Sequence, residues 1–224
     1  MGLHRRLRLC RPSNCLGIFF LLLFAATTVL AETEVLYPAE EGYIQGGTYA
    51  EQVMDGSMLV VAARNQATKE NTRKVFLLFE TFSDNDGVNS ATLKLTRGNT
   101  EVANEGDARV PIDLLLFGAP GGDWMGATLT WADAPFHNPE SFGNDETPGL
   151  ELLARISVDT SRADEYTPME FSDPRLTEFL RKNPGRVTLV VTSDASTMSP
   201  GLWFLGTKGT GMPERRPQLV LEMK

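Results

Sequence analysis

The sequence predicts an all-β domain: an antiparallel, jelly-roll-like β-sandwich with one short helix. Three observations carry that expectation. Apolar runs of strand length recur along the chain, turn-forming residues separate them, and the intervals are too short for helices to alternate with strands.

The first 31 residues stand apart from this pattern. Arg5, Arg6, Arg8 and Arg11 precede an uncharged, Phe- and Leu-rich stretch from Leu16 to Leu30, and small residues, Val29 and Ala31, precede Glu32. Basic, then apolar, then small is the order of a secretory signal peptide, expected here over 1–31, so that 32–224 is expected as a single secreted domain, extracellular or at the cell surface. Cys10 and Cys15 both fall in the leader, so the domain must be held by its core without disulfides.

Within 32–224, strands are expected over 58–63, 74–82, 91–96, 112–118, 150–158, 186–192, 202–206 and 217–223. Turns are marked by Gly46-Gly47, Asp55-Gly56, 84–87, 120–122, Pro184-Gly185 and Pro200-Gly201. The run 74–79 is apolar on both alternating faces. Two readings stay open for it: a central strand covered on both sides, or Phe76 and Leu78 lining a recessed binding face. The helix is expected after a cap at Ser172 or Asp173, with Pro174 in its first turn, an apolar stripe of Leu176, Phe179 and Leu180, and a stop at Asn183-Pro184-Gly185.

All 29 acidic residues follow Ala31 but only 17 of the 21 basic ones do, which gives 32–224 a net charge of −12. Such a domain does not bind nucleic acid through bulk charge. Its chemical inventory is narrow. His137 is its one histidine and it has no cysteine, which excludes a cysteine nucleophile, a His/Cys metal cluster and a two-histidine copper site. His137 lies in the Pro-rich loop 135–139 and is expected to face solvent. There is no Gly-x-Ser-x-Gly turn to hold a serine nucleophile. A tyrosine-based lyase would need Tyr37, Tyr43, Tyr49 or Tyr166 beside a basic partner.

Of the three tryptophans, Trp124 and Trp131 are expected in the core, while Trp203 is the more open candidate for stacking on a sugar ring. Basic residues begin or end several strands: Arg73 and Lys74, Lys94 and Arg97, Arg215 and Arg216. Arginine reads a carboxylate through two parallel hydrogen bonds. Asp84 and Asp86, in Asp84-Asn85-Asp86-Gly87, offer oxygens at alternate positions as a structural calcium loop would, and the same residues suit a plain turn. No other cofactor is expected.

Several segments appear together in the order of a known family: 43–51, 71–79, 90–95, then Asp123-Trp124 with 128–135, and 216–221. The Trp-x6-Trp stretch ending in Ala-Pro, between an Arg-Lys strand and an Arg-Pro-x-Leu closing strand, is the most specific of them. On these residues the chain resembles the DNRLRE-type domain, carbohydrate-binding module family 96, whose characterised members bind alginate. In that family a basic residue usually stands where Gln45 is found here.

The resemblance implies a secreted, non-catalytic module for an acidic polysaccharide such as alginate, with a polysaccharide-degrading enzyme on another chain as a second partner. The expected ligand-binding residues are Gln45, Tyr49, Arg73, Lys74, Lys94 and Lys208. Neither nucleic acid nor, after cleavage of the leader, membrane is an expected partner. The alternatives are a structural or adhesive module that docks to another protein and, behind it, a polysaccharide lyase.

Overall fold

Val, Leu, Ile and Phe crowd the apolar runs, and such side chains suit a pleated surface buried on one or both faces. They form eleven strands in a computed structural model, which describes residues 32–63, 70–98, 112–140, 147, 149–158, 166–194 and 201–224. The expected leader, 1–31, lies outside these residues.

In chain order the strands are β1 (Thr33–Leu36), β2 (Glu40–Gln45), β3 (Met58–Val61), β4 (Arg73–Glu80), β5 (Val88–Thr96), β6 (Ile112–Pro120), β7 (Glu151–Val158), β8 (Pro168–Ser172), β9 (Arg186–Ser193), β10 (Leu202–Leu205) and β11 (Gln218–Met223). One sheet runs β2-β4-β9-β6-β7, the second β1-β11-β5-β8, and β10-β3 form a two-stranded ribbon. Every strand pairing among the described residues is antiparallel. The ribbon touches both sheets through single bridges, Ala62 to Arg73 of β4 and Arg97, just after β5, to Phe204. The fold is an antiparallel, jelly-roll-like sandwich, and the whole of it lies within one compact unit, Ala31–Lys224.

The main core fills the space between the sheets. Val75, Leu77, Phe79, Leu114, Leu116, Leu189 and Val191 meet Leu93, Leu95, Phe171, Leu219 and Leu221 there. Along each strand the alternate residues face outward. The one α-helix among the described residues, α1 (Pro174–Lys182), lies against β5 of one sheet and β7 of the other. It starts where the sequence predicts: the Asp173 side chain accepts the Arg175 N–H, and Leu176, Phe179 and Leu180 turn into the core. Gly118 of β6 makes room for it, since a Cβ there would stand 2.8 Å from the Phe179 ring.

A second apolar cluster lies on the outer face of the five-stranded sheet and decides between the two readings of run 74–79. Ile44, Phe76, Leu78, Leu115, Phe117 and Val190 are covered there by Trp124, Leu129, Trp131 and Ala134. The segment 121–140 thus forms a third layer. Trp124 packs edge-on against Phe76 and donates its indole N–H to Thr188 Oγ1 at 3.0 Å. Trp131 donates to the Pro139 carbonyl at 3.2 Å. Phe76 and Leu78 are buried and form no recessed face; both tryptophans are core, as expected.

Candidate functional site

Strand alternation organises the residues that the sequence nominated. Arg73 and Lys74 are neighbours in β4, so their side chains leave from opposite faces. Gln45 of β2 stands directly opposite Arg73 and shares its face, whereas Ile44 stands opposite Lys74.

Arg73 Nε donates to Gln45 Oε1 at 2.7 Å, and Gln45 Nε2 donates to Asn71 Oδ1 at 3.1 Å. Gln45 is buried and Arg73 half-buried, so the amide orients the guanidinium fork at the sandwich end. Beyond β2, a Cβ built at Gly201 would stand 3.6 Å from Trp203 Nε1 and 3.8 Å from Arg73 Nη1, so the indole and the guanidinium both approach this glycine. Trp203 is partly exposed, and Trp124 and Trp131 are buried.

The same face of β2 carries Tyr43 and Glu41, two and four residues before Gln45. Burial pushes the Tyr43 phenol above its ordinary range, and the positive charge of Arg73 opposes that rise. Glu41 accepts the N–H and the hydroxyl of Thr207 in the 3-10 turn Thr207–Gly209. Burial nevertheless holds its carboxyl above the usual carboxylate range. Asp55 accepts both the N–H and the hydroxyl of Ser57 at 3.0 Å, and these bonds hold it below that range, with Lys208 adding a smaller favourable field. Gln45, Arg73, Tyr43, Asp55, Glu41 and Lys208 therefore form a polar strip along the β2 edge and onto one end of the sandwich.

The remaining nominated residues lie elsewhere. Lys94 points outward from the four-stranded sheet and pairs with Glu170 at 2.9 Å. Tyr49 is exposed on the 3-10 turn Gly47–Tyr49 that follows β2. Lys74 is wholly enclosed, so as placed it offers nothing to an outside ligand. Its Nζ lies 3.3 Å from His137 Nδ1 and 5.4 Å from the centre of the Trp131 ring. His137 itself packs edge-on to Trp131 with ring centroids 4.4 Å apart, so the histidine expected in solvent is a partly buried member of the third layer. Burial first, and then the Lys74 charge, push its pKa down to about 3. An ammonium that donates into Nδ1 requires that nitrogen to be unprotonated, and Nε2 is enclosed with no hydrogen-bond partner.

In the loop expected as a turn or a calcium site, Asp84 Oδ1 accepts the Asp86 N–H at 2.9 Å, the geometry of an Asx turn. Asn85 points inward and donates to Thr81 Oγ1 and to the Leu180 carbonyl. Among the described residues no three His, Cys, Asp or Glu side chains are grouped to hold a metal ion.

Two tyrosines do have basic neighbours. Arg73 acts on Tyr43 through its field, and the Arg215 guanidinium lies 4.2 Å above the Tyr166 ring. Both tyrosines are plain in the sequence, which gives no means of matching them to arginines distant along the chain. It missed Glu41, Asp55 and Gly201 as neighbours of the site. Period-two alternation along β2 was the available signal for Glu41.

Fold and geometry together define an antiparallel sandwich with a polar, partly aromatic strip at one end. No family model matches the chain, and no curated protein matches it. Among solved structures it is similar to a xylan-binding module CBM15, at 8% identity and a TM-score of 0.43, with 86% of this chain and 97% of that chain covered. A likeness that slight carries no argument about the ligand.

Proposed function

We propose that this chain is a secreted, non-catalytic binding module for an acidic polysaccharide such as alginate, as its resemblance to carbohydrate-binding module family 96 implies. The observation that carries the reading is the arginine of the sandwich end. Gln45 engages Nε of Arg73 at 2.7 Å and so presets the plane of a partly exposed guanidinium. A preset fork loses less freedom when it grips a carboxylate. Tyr43 and Lys208 stand along the same strip.

Two of the groups that could serve catalysis, Tyr43 and His137, are ill suited to it. Burial raises the Tyr43 phenol, which makes it slower to yield the phenolate that a lyase base needs. His137 is tied to Lys74 inside the third layer.

Affinity electrophoresis of the purified protein through gels holding alginate, pectin or a neutral glucan tests the reading. Retardation is expected in the polyuronate gels alone, reduced in Arg73→Ala and in Gln45→Ala, with no rise in absorbance from unsaturated sugar ends. Unhindered migration in every polyuronate gel would overturn it.

A further inference from the structure

Arg215 and Arg216 stand out from the other basic residues by what they lack. Arg155 pairs with Asp113 and Asp194, Arg175 with Asp173, and Arg186 with Glu80 and Asp123, while Arg181 donates to the Val88 and Asn89 carbonyls. Neither Arg215 nor Arg216 makes a side-chain hydrogen bond or an ion pair among the described residues. A domain with a net charge of −12 leaves these two adjacent cations without a partner of its own.

Both are nevertheless held. The 3-10 turn Pro213–Arg215 is closed by the Arg215 and Arg216 N–H groups, which donate to the Met212 and Pro213 carbonyls at 3.0 and 3.1 Å. Gln218 Nε2 ties the same Pro213 carbonyl to β11 at 3.0 Å. The Arg215 guanidinium lies 4.2 Å above the Tyr166 ring, a stacking that fixes its plane and leaves its N–H groups unspent. Tyr166 is in turn kept in left-handed backbone, φ 63°, with its N–H on the Arg97 carbonyl at 3.1 Å. Arg216 is half-buried, and its enclosed Nε has given up water without gaining an acceptor. Its Nη groups stand outside that enclosure, also without acceptors.

The register brings these residues to one end of the four-stranded sheet. Gln218 pairs with Lys94, so the extended Arg216, two residues earlier, comes level with Thr96, which pairs with Pro168, two residues after Tyr166. The ribbon links this patch to the strip around Arg73, because Arg97 bridges to Phe204 of β10 and Ala62, after β3, bridges to Arg73.

Resting on the reading of the chain as a polyuronate-binding module, we propose that Arg215 and Arg216 form a second carboxylate subsite, across the β3-β10 ribbon from Arg73. Their free N–H groups donate to acid oxygens of the glycan, and Tyr166 orients Arg215. A polyuronate repeats its acid groups along the chain, so one molecule can fill both subsites, whereas a neutral glycan offers neither fork a charged acceptor.

Calorimetric titration with alginate oligosaccharides of increasing length, and with neutral mannan oligosaccharides as control, tests this. Wild type should bind the uronates alone, and more tightly as they lengthen. Arg215→Gln and Arg216→Gln should each weaken binding of the long oligosaccharide by about tenfold and remove the gain from length. Lys182→Gln makes the same change in net charge on α1 and should leave affinity unchanged. The thermal midpoint of unliganded Arg216→Gln should hold or rise, since the substitution removes an enclosed, unpaired charge. Arg215→Gln, on a surface turn, keeps the test open should the other variant disturb folding.

Unaltered affinity in both arginine variants, with Arg73→Ala weakened, would overturn the second subsite and leave the module reading standing. An equal loss in Lys182→Gln would also overturn it, because bulk charge would then govern binding. Failure of wild type to bind any polyuronate would overturn both.

Discussion

Lys74 and His137 stabilise each other in states set by burial, and this has a consequence in acid. The folded His137 stays neutral down to about pH 3, whereas the unfolded residue takes up a proton near its ordinary 6.5. Between those values the unfolded chain binds more protons, so stability falls as pH falls through 6.5 and the loss levels off near 3. At ~1.4 kcal/mol per pH unit the loss attributable to this residue is on the order of 3–5 kcal/mol. Urea denaturation at a series of pH values should show that slope, and His137→Phe should flatten it. Lys74→Ala should cost about 3 kcal/mol at neutral pH, because it empties an enclosed volume beneath Trp131 and strips His137 of its donor.

The same pair marks the limit of sequence reading at this scale. Alternation along the strand already separates Arg73 from Lys74. The enclosure of Lys74 was not legible, because its cover comes from residues about sixty positions away. Loop 135–139 has the composition of an exposed turn, and nothing local shows that Trp131 folds against it.

Among the elements, the covering segment 121–140 is the feature most open to test. Trp124→Ala should lose about 3–5 kcal/mol through the cavity above Phe76. Trp124→Phe should lose less, though it leaves Thr188 without the indole donor. At the start of α1, Asp173→Ala should cost about 1 kcal/mol in urea denaturation, since its carboxylate caps the Arg175 N–H. The helix and the long apolar strands were legible because periodicity, cap and stop signals all agreed. β2 was not: Glu-Glu-Gly-Tyr-Ile-Gln has too few apolar residues to stand out, and it owes its strand to pairing with β4. β8 alternates Met169 and Phe171 with exposed residues, but five positions opening on proline give a weak signal.

For the molecule as a whole, the net charge of −12 over 32–224 opposes the approach of a polyanion while the local arginine favours its capture. Salt acts on both. Below about 0.15 M, screening should speed association by muting the long-range repulsion, and added salt should also speed dissociation by weakening the ion pair. Stopped-flow mixing with an alginate oligosaccharide at several salt concentrations separates the two rates. An association rate that fell with salt would mean that attraction, not repulsion, governs the approach.

β1 and β11 lie side by side, with Met223 N donating to the Glu32 carbonyl at 2.7 Å and Lys224 N to that of Gly87 at 2.9 Å. Glu32 and Lys224 therefore sit together at one pole, and Arg97, which bridges to the ribbon beside Trp203, follows the far end of β5 at the other. Anchored to a bead or sensor chip through either residue, the molecule would hold its guanidinium and indole outermost. Oligosaccharide affinities measured on the two kinds of chip should coincide.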